Sequence, residues 1–462
     1  MDLIPVIAIF DIGKTNKKFF LFDESYEVVY EKSTKLPEIT DEDGFPCDDI
    51  KGIEQFVTHS LREISQMRDF DLKAVSFTAY GASFVYIDDK GKPLTPLYNY
   101  LKPYPDELKA AFYSKYGGEE YFSMIAASPF LGSLNSAMQL YRFKYEQPQL
   151  FAQLKYALHL PQYLSFLVSG QAFSDITSVG CHTNLWDFSK GQYHEWLDKE
   201  SVMEKLAPLR ASDHTTAVSL EGEQIMVGVG LHDSSSALIP YFINYSTSFA
   251  LISTGTWCIT LNPFNNSPLT TEKLASDCLC YLSYFGKPVK ASRLFSGYEH
   301  EQQVAKIAAH FIVDPDFYKT LQFDQKVLDA VRLKNSINEG FSNKKKSSHS
   351  DFIEFSPIES FENSTEAYYQ VMIDLVTAQV KSSLLVLEGT EVNRIFVDGG
   401  FSRSSIFMNL LSIAMPTMEI YAASMSEATA LGAALAIHAS WNRATFPADL
   451  IELRKYSIAQ SS

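Results

Sequence analysis

Hydrophobic and polar positions along this chain fall into two patterns: short apolar runs closed by glycine turns, and longer stretches with helical spacing. Near the start, Val6-Ile-Ala-Ile-Phe10 is uninterrupted, Asp11-Ile-Gly-Lys-Thr-Asn-Lys-Lys18 is a polar turn, and Phe19-Phe-Leu-Phe22 returns to apolar residues before Asp23. Two short apolar segments joined by turn residues predict a β-hairpin. The plan recurs at Ser248-Phe-Ala-Leu-Ile-Ser253, Thr254-Gly-Thr256 and Trp257-Cys-Ile-Thr-Leu261. Two hairpins, each heading about half the chain, read as an internal duplication. The expected consequence is two similar domains, 1–245 and 246–462, facing each other across a central cleft and each offering its turn to one ligand.

Between the hairpins, residues 52–68 have helical periodicity and lead to a strand at 74–78, which ends at Ala79-Tyr-Gly-Ala-Ser83. A further strand is predicted at 84–87. Residues 134–167 carry apolar positions at helical spacing, broken by Pro148 and Pro161, and predict three successive helical pieces. In the second half, 366–387 reads as a long amphipathic helix, and Asn393-Arg-Ile-Phe-Val-Asp-Gly-Gly400 as a strand entering a glycine turn. A helix at 408–415, a short strand at 419–421 and an alanine-rich helix at 428–441 follow. The basic run Asn343-Lys-Lys-Lys-Ser-Ser-His-Ser350 has no apolar stripe and reads as a solvated loop. Strands alternating with helices predict an α/β architecture.

Composition narrows the function. With 46% hydrophobic residues the 462-residue chain can bury two large cores. A net charge of −16 argues against nucleic acid or an anionic membrane as partner, because both need clustered Lys and Arg. The N-terminal segment is acidic, and its apolar run stops at Asp11, too short for a signal peptide or a spanning helix. Five scattered cysteines, Cys47, Cys181, Cys258, Cys278 and Cys280, fit reduced thiols and a cytoplasmic setting. Cys278 and Cys280 lack a second ligand pair, so no zinc site is expected.

Four features carry chemistry. Asp11-x-Gly13-x-Thr15 after an apolar strand would put a carboxylate near a metal-bound phosphate, with Gly13, Thr15, Asn16 and Lys17 or Lys18 as the phosphate-facing residues. Thr254, Gly255 and Thr256 form the matching turn, with backbone and hydroxyl donors for β- and γ-phosphates. Asp398-Gly399-Gly400 at a strand end would seat the α-phosphate and adenosine on bare backbone. Asp233, flanked by His232 and Ser234 after the apolar run 227–231, would stand at a strand end in the cleft.

Taken in this order, the features resemble the FGGY family of carbohydrate kinases, of the actin-like superfamily. The resemblance also takes in Leu160-Pro-Gln-Tyr-Leu-Ser-Phe-Leu-Val-Ser-Gly170, Asp175-Ile-Thr177, Trp186-Asp187 and the closing Ser426-Glu-Ala-Thr-Ala-Leu-Gly-Ala-Ala434, and so covers nearly the whole chain. The Gly-Thr-Trp of the second hairpin, the His232-Asp233 pair and the segment Tyr80-Gly81 to Gly91 are most similar to the L-rhamnulose and L-fuculose kinase branch. Two departures stand out: Tyr98-Asn-Tyr-Leu-Lys102 replaces the usual Arg and Asp, and Ser404 and Asn409 replace an Asn and a Gln.

The resemblance implies two actin-like (ribonuclease H-like) domains and MgATP-dependent phosphorylation of a small sugar. Asp233 would be the general base, Asp11 the metal ligand, and Tyr80, Gly81, Tyr98, Asn99 and His232 the sugar contacts. Ser404 and Asn409 join the turns at the nucleotide. A homodimer is the candidate assembly. Two alternatives stay open: a kinase for another ketose or polyol, and a non-catalytic sugar or nucleotide sensor on the same fold. A DNA-binding sensor calls for a helix-turn-helix extension, and the chain begins directly at the first hairpin strand.

Overall fold

The computed structural model describes residues 3–339, 353, 355–424, 427–447 and 450–457; the basic run at 343–350 and Ser426 lie outside them. Two seven-stranded sheets dominate. In the first, Val28–Thr34, Lys17–Asp23 and Ile4–Ile12 run antiparallel to one another. Ile4–Ile12 then pairs parallel with Phe70–Ala79, that strand with Glu223–Gly228, and an antiparallel edge strand, Thr215–Leu220, closes the order. Leu231–His232 adds to the far end of Phe70–Ala79.

The second sheet repeats this plan. Pro288–Leu294, Cys258–Asn262 and Ala250–Thr254 are antiparallel, Arg394–Gly399 and Glu419–Ser424 add in parallel, and Glu452–Tyr456 returns antiparallel at the edge. Cys278–Leu282 extends the opposite edge. The duplication expected from the two hairpins is thus present as strand order and direction.

Period-two burial explains why each hairpin strand can sit mid-sheet. Val6, Ala8, Phe10 and Ile12 pack on one face against Ile50–Gln66 and Leu160–Ser169, while Ile7 and Ile9 enter a separate cluster on the other face. Ala250 and Ile252 likewise face the large cluster containing Ser364–Leu387, and Leu251 faces the opposite one. Ser364–Leu387 is long and apolar enough to cross a bilayer by length and composition, but Tyr368, Met372 and Leu375 are spent on that core.

The alanine-rich closing helix, Ala428–Ala436, belongs to the second half of the sequence yet packs on the first sheet. Ala430, Leu431, Ala433 and Ala434 meet Ile7, Ile9 and Phe20. Gly432 permits the contact, since a Cβ there would stand 1.9 Å from the Ser236 carbonyl oxygen.

Two expectations need correction. Within 134–167 the structure places helices Ser136–Glu146, Pro148–Phe151 and Leu160–Ser169, but a strand, Tyr156–His159, lies before the last and pairs with Phe84–Ile87. Four apolar-rich residues are too few for periodicity to separate strand from helix. The helix expected over 428–441 is two, ending at Ala436 and resuming as His438–Trp441, with Ile437 outside helical geometry.

Candidate active site

Three parallel strand ends build the first wall of the cleft. Asp11 pairs with Thr78 and Ile12 with Ala79, while His232 also pairs with Ala79. Asp11, Tyr80-Gly81 and His232-Asp233 therefore emerge side by side at the carboxyl edge of one sheet, the edge where open α/β sheets hold ligands. The second wall has the same logic: Ser253 pairs with Asp398 and Thr254 with Gly399. The Thr254 hydroxyl donates to the Asp398 carbonyl and accepts from Phe401 N at 3.0 Å, stitching the second hairpin to the Gly-Gly turn. Gly399 has φ +86°, and a Cβ on it would lie 1.9 Å from the Thr254 carbonyl oxygen. Glycine is required there twice over, by conformation and by space.

Asp233 opens onto a pocket of about 130 Å³ between the two sheets, lined on the first side by Tyr80, Gly81, Tyr100 and His182 and on the second by Trp257, Tyr281 and Arg293. Burial raises the Asp233 carboxyl to about 6, against the pull of the Ser234 amide, which donates to Oδ1 at 2.6 Å. His232 Nε2 lies 3.1 Å from Asp233 Oδ1, and burial drops this imidazole to about 3, so it is neutral. The same Nε2 lies 3.0 Å from Cys181 Sγ, its hydrogen-bond partner, so the ring stands beside the acid without neutralising it. His232 is itself fixed by Thr177 Oγ1, which accepts from its backbone N at 3.0 Å, and by Ser235 Oγ, 3.3 Å from Nδ1.

Asp11 is raised to about 6, chiefly by burial and also by the charge of Asp233; a hydrogen bond from Thr429 pulls it back. Asp398 rises to about 7 through burial, with the charge of Glu427 adding and Arg403 opposing. Burial raises Glu427 as well, against its ion pair with Lys18 at 3.0 Å. Burial thus holds back the ionisation of Asp11, Asp233, Asp398 and Glu427 alike. Among the described residues no three His, Cys, Asp or Glu side chains converge on one point. The donor set fits Mg²⁺ held through one or two carboxylates, water and phosphate oxygens, and does not fit an all-protein cage.

A second, larger cavity of about 770 Å³ brings together Asn16 from the first hairpin with Thr254, Gly255, Thr256, Gly400 and Ser404 from the second half. Ser404 also caps Ser405–Ala414 through Phe407 N at 3.3 Å. Gly13 sits just behind, its N–H closing the turn onto the Asn16 carbonyl at 3.0 Å, and Thr15 is exposed at the tip. The sequence did not point to His300, Tyr318, Tyr368 or Phe401, which form the aromatic end of this cavity.

Several expected residues stand elsewhere. Lys17 is 1% exposed, and its ammonium is spent on the Gly13 and Lys14 carbonyls and on Asp48 at 3.1 Å. It pins the hairpin from behind, while Lys18 faces the acids. Tyr98 and Asn99 line a separate, narrow cavity. Tyr98 donates to Glu42, and Asn99 Nδ2 donates to the Pro46 carbonyl at 3.0 Å. Tyr100 takes the place expected for them. Tyr80 is in the pocket, but its hydroxyl is spent on Asp48 at 2.9 Å, leaving the ring as its contribution. Asn409 donates back to the Ser405 carbonyl at 2.7 Å, one helical turn away, and does not line the nucleotide-sized cavity.

Against known proteins, residues 6–239 match the FGGY family of carbohydrate kinases, N-terminal domain, and residues 246–445 match Carbohydrate kinase FGGY, C-terminal domain. The chain belongs to the FGGY family. Curated relatives include a rhamnulokinase of Halalkalibacterium halodurans, 23% identical over 252 residues and covering 51% of each chain. Another is a rhamnulokinase of Mannheimia succiniciproducens, 22% identical over 286 residues, covering 59% of this chain and 56% of the relative. The matches thus span about half the length of these relatives. Among solved structures, a carbohydrate kinase from Novosphingobium aromaticivorans superposes with a TM-score of 0.78 at 22% identity, covering 97% of this FGGY chain and 96% of the other. A ligand-bound xylulose kinase from Lactobacillus acidophilus gives 0.75 at 15% identity, covering 95% and 89%. These likenesses establish the two-domain actin-like fold.

Proposed function

We propose that this FGGY protein transfers the γ-phosphoryl group of MgATP to a hydroxyl of a small sugar, a 6-deoxyketose of the L-rhamnulose or L-fuculose kind. The observation that carries the reading is Asp233: a carboxylate beside a neutral histidine, in a pocket between two walls, next to a second cavity lined by both hairpin turns. The rhamnulokinase relatives support the choice of sugar. We place the division between domains at 245/246, between the last strand of the first sheet and the first of the second.

In this reading the acceptor hydroxyl lies against Asp233, which takes its proton as the oxygen attacks the γ-phosphorus. The bond between that phosphorus and the bridging oxygen to the β-phosphate breaks, and ADP leaves. Such transfers depend mainly on alignment and on spreading charge over the γ-oxygens. The turn amides at 254–256 and the first hairpin tip face those oxygens, and Lys18 offers a cation whose partner Glu427 is shared with the acid cluster. Asp11 would hold Mg²⁺, which neutralises phosphate charge when bound. The aromatic end at Tyr318 and Phe401 suits a flat base. Closure of the two walls would exclude water from the reacting oxygens.

The test is ADP release with MgATP over L-rhamnulose, L-fuculose, L-ribulose, D-ribulose, D-xylulose and glycerol. Turnover concentrated on a 6-deoxyketose is expected. Turnover confined to D-xylulose or glycerol would keep the kinase and overturn the substrate, in line with solved relatives described as xylulose and glycerol kinases.

A further inference from the structure

Two nine-tenths buried polar side chains of the pocket each keep one polar atom without a hydrogen bond to any described residue, although the Arg293 guanidinium also rests over the Trp257 ring at 5.2 Å. His182 is 7% exposed and Arg293 6%. His182 Nδ1 lies 3.2 Å from the Leu134 carbonyl, an acceptor only, so the proton sits on Nδ1. Burial, reinforced by the Arg293 charge, holds the ring neutral, which leaves Nε2 as a bare acceptor. Arg293 directs Nε and Nη2 at Asp277, the shortest contact being 2.7 Å, and its Nη1 makes no hydrogen bond to any described residue. Neither Nε2 of His182 nor Nη1 of Arg293 is among the fully enclosed polar atoms that lack a partner, and both residues line the pocket. Both free atoms therefore open onto the cavity that holds Asp233.

We infer that His182 and Arg293 form a donor–acceptor pair that reads one non-reacting hydroxyl of a neutral, polyhydroxylated acceptor. A hydroxyl is the group that satisfies both, donating to His182 Nε2 and accepting from Arg293 Nη1. A carboxylate would accept from Arg293 but turn a lone pair toward His182 Nε2, so a sugar acid is disfavoured. Asp277 already balances the guanidinium charge, which removes the pull for an anion. The two residues come from opposite walls: His182 precedes the first-sheet acid in sequence, and Arg293 lies on Pro288–Leu294 of the second sheet. One hydroxyl held between them ties recognition of the acceptor to the approach of the walls.

This inference rests on the pocket being the acceptor site, and the experiment separates the two. Wild type, His182→Ala, His182→Gln and Arg293→Lys are assayed on the best acceptor of the panel and on its series of single-deoxy analogues, with thermal denaturation to verify folding. Arg293→Lys keeps a cation for Asp277, and His182→Gln can return an acceptor atom. The expected result is a sugar KM raised about 10- to 100-fold in His182→Ala and Arg293→Lys, as for loss of one hydrogen bond to a polar or charged partner. The KM for MgATP should be unmoved, and His182→Gln should recover part of the loss. One deoxy analogue should be discriminated by wild type and no longer by His182→Ala. Variants that keep the wild-type sugar KM and the same preference over every deoxy analogue would overturn the pair while leaving the kinase reading intact. Absence of turnover by wild type on every acceptor would overturn both.

Discussion

Thr429 Oγ1 donates to Asp11 Oδ2 at 2.8 Å across 418 residues of sequence. The bond joins the start of the closing helix to the carboxylate of the first hairpin, and the Lys18–Glu427 ion pair runs beside it. Because Ala428–Ala436 is packed on the first sheet, the second half of the chain supplies a hydrogen bond that favours ionisation of an acid contributed by the first, against the effect of burial.

Thr429→Val keeps the shape and removes the donor. Asp11 should then be harder to ionise, since this hydrogen bond is the main influence holding its pKa down. We predict that the Mg²⁺ concentration giving half-maximal rate at pH 7 rises several-fold, with a stability loss of about 1 kcal/mol. An Mg²⁺ titration at fixed ATP checks the first outcome and chemical denaturation the second. An unchanged Mg²⁺ dependence would separate Asp11 from the metal.

The two adjacent lysines should part company. Lys17→Met leaves Asp48 short of a buried cation, although Lys14 remains at 2.6 Å. A stability loss of about 2–3 kcal/mol is expected, below the range for a fully broken buried pair. Lys18→Met should change stability by less than about 1 kcal/mol, as for a partly exposed pair, and raise the KM for MgATP. Equal effects on ATP from both variants would contradict the placement of Lys17 behind the hairpin.

Much of this arrangement is legible in the sequence, and the rest is not for definite reasons. The hairpins show because each strand is an apolar run cut by a polar turn, and Asp11, Asp233 and Asp398 show because each follows such a run. Tyr98 and Asn99 were misplaced because the chain between Ile87 and Tyr104 has no strand or helix periodicity to say which side chain turns inward; Tyr100 does. Arg293, Tyr281 and His182 carry no local signal. Tyr281 and Arg293 enter the pocket only because the second sheet faces the first, and His182 reaches it from the irregular chain after Ile176–Val179. The alanines of the closing helix announce close packing, but not that the partner is a sheet some four hundred residues earlier.

That misplacement has its own test. Asn99→Ala should leave the sugar KM within about twofold, because its amide bonds only Pro46 and Leu101. Tyr100→Ala removes a pocket wall and should raise that KM about tenfold, the order expected for losing one aromatic contact. The reverse ranking would return Asn99 to the acceptor site.

Asp233 also couples the site to stability. Its folded value, about 6, lies above the ordinary 3.8, so the native state binds more protons than the unfolded chain between about pH 4 and 6. Stability therefore falls as pH rises through that window, and an ionised Asp233 is a standing cost above it. Asp233→Asn should be more stable than wild type at pH 8 by about 1–2 kcal/mol, discounted for the part of the side chain open to the cleft. The difference should shrink as pH falls and vanish well below pH 4, where Asp233 is protonated in the unfolded chain as well as the native one. Denaturation curves at the two pH values decide it.

The role of Asp233 as general base is measured by single-turnover phosphoryl transfer from MgATP to the best acceptor by wild type and Asp233→Asn across pH 5–9. That role predicts a wild-type rate that falls as pH drops through about 6, and a variant slowed by about 10²–10⁴-fold that still binds MgATP with wild-type affinity. An Asp233→Asn protein that transfers phosphate at the wild-type rate, or a wild-type rate flat from pH 5 to 7, would contradict it.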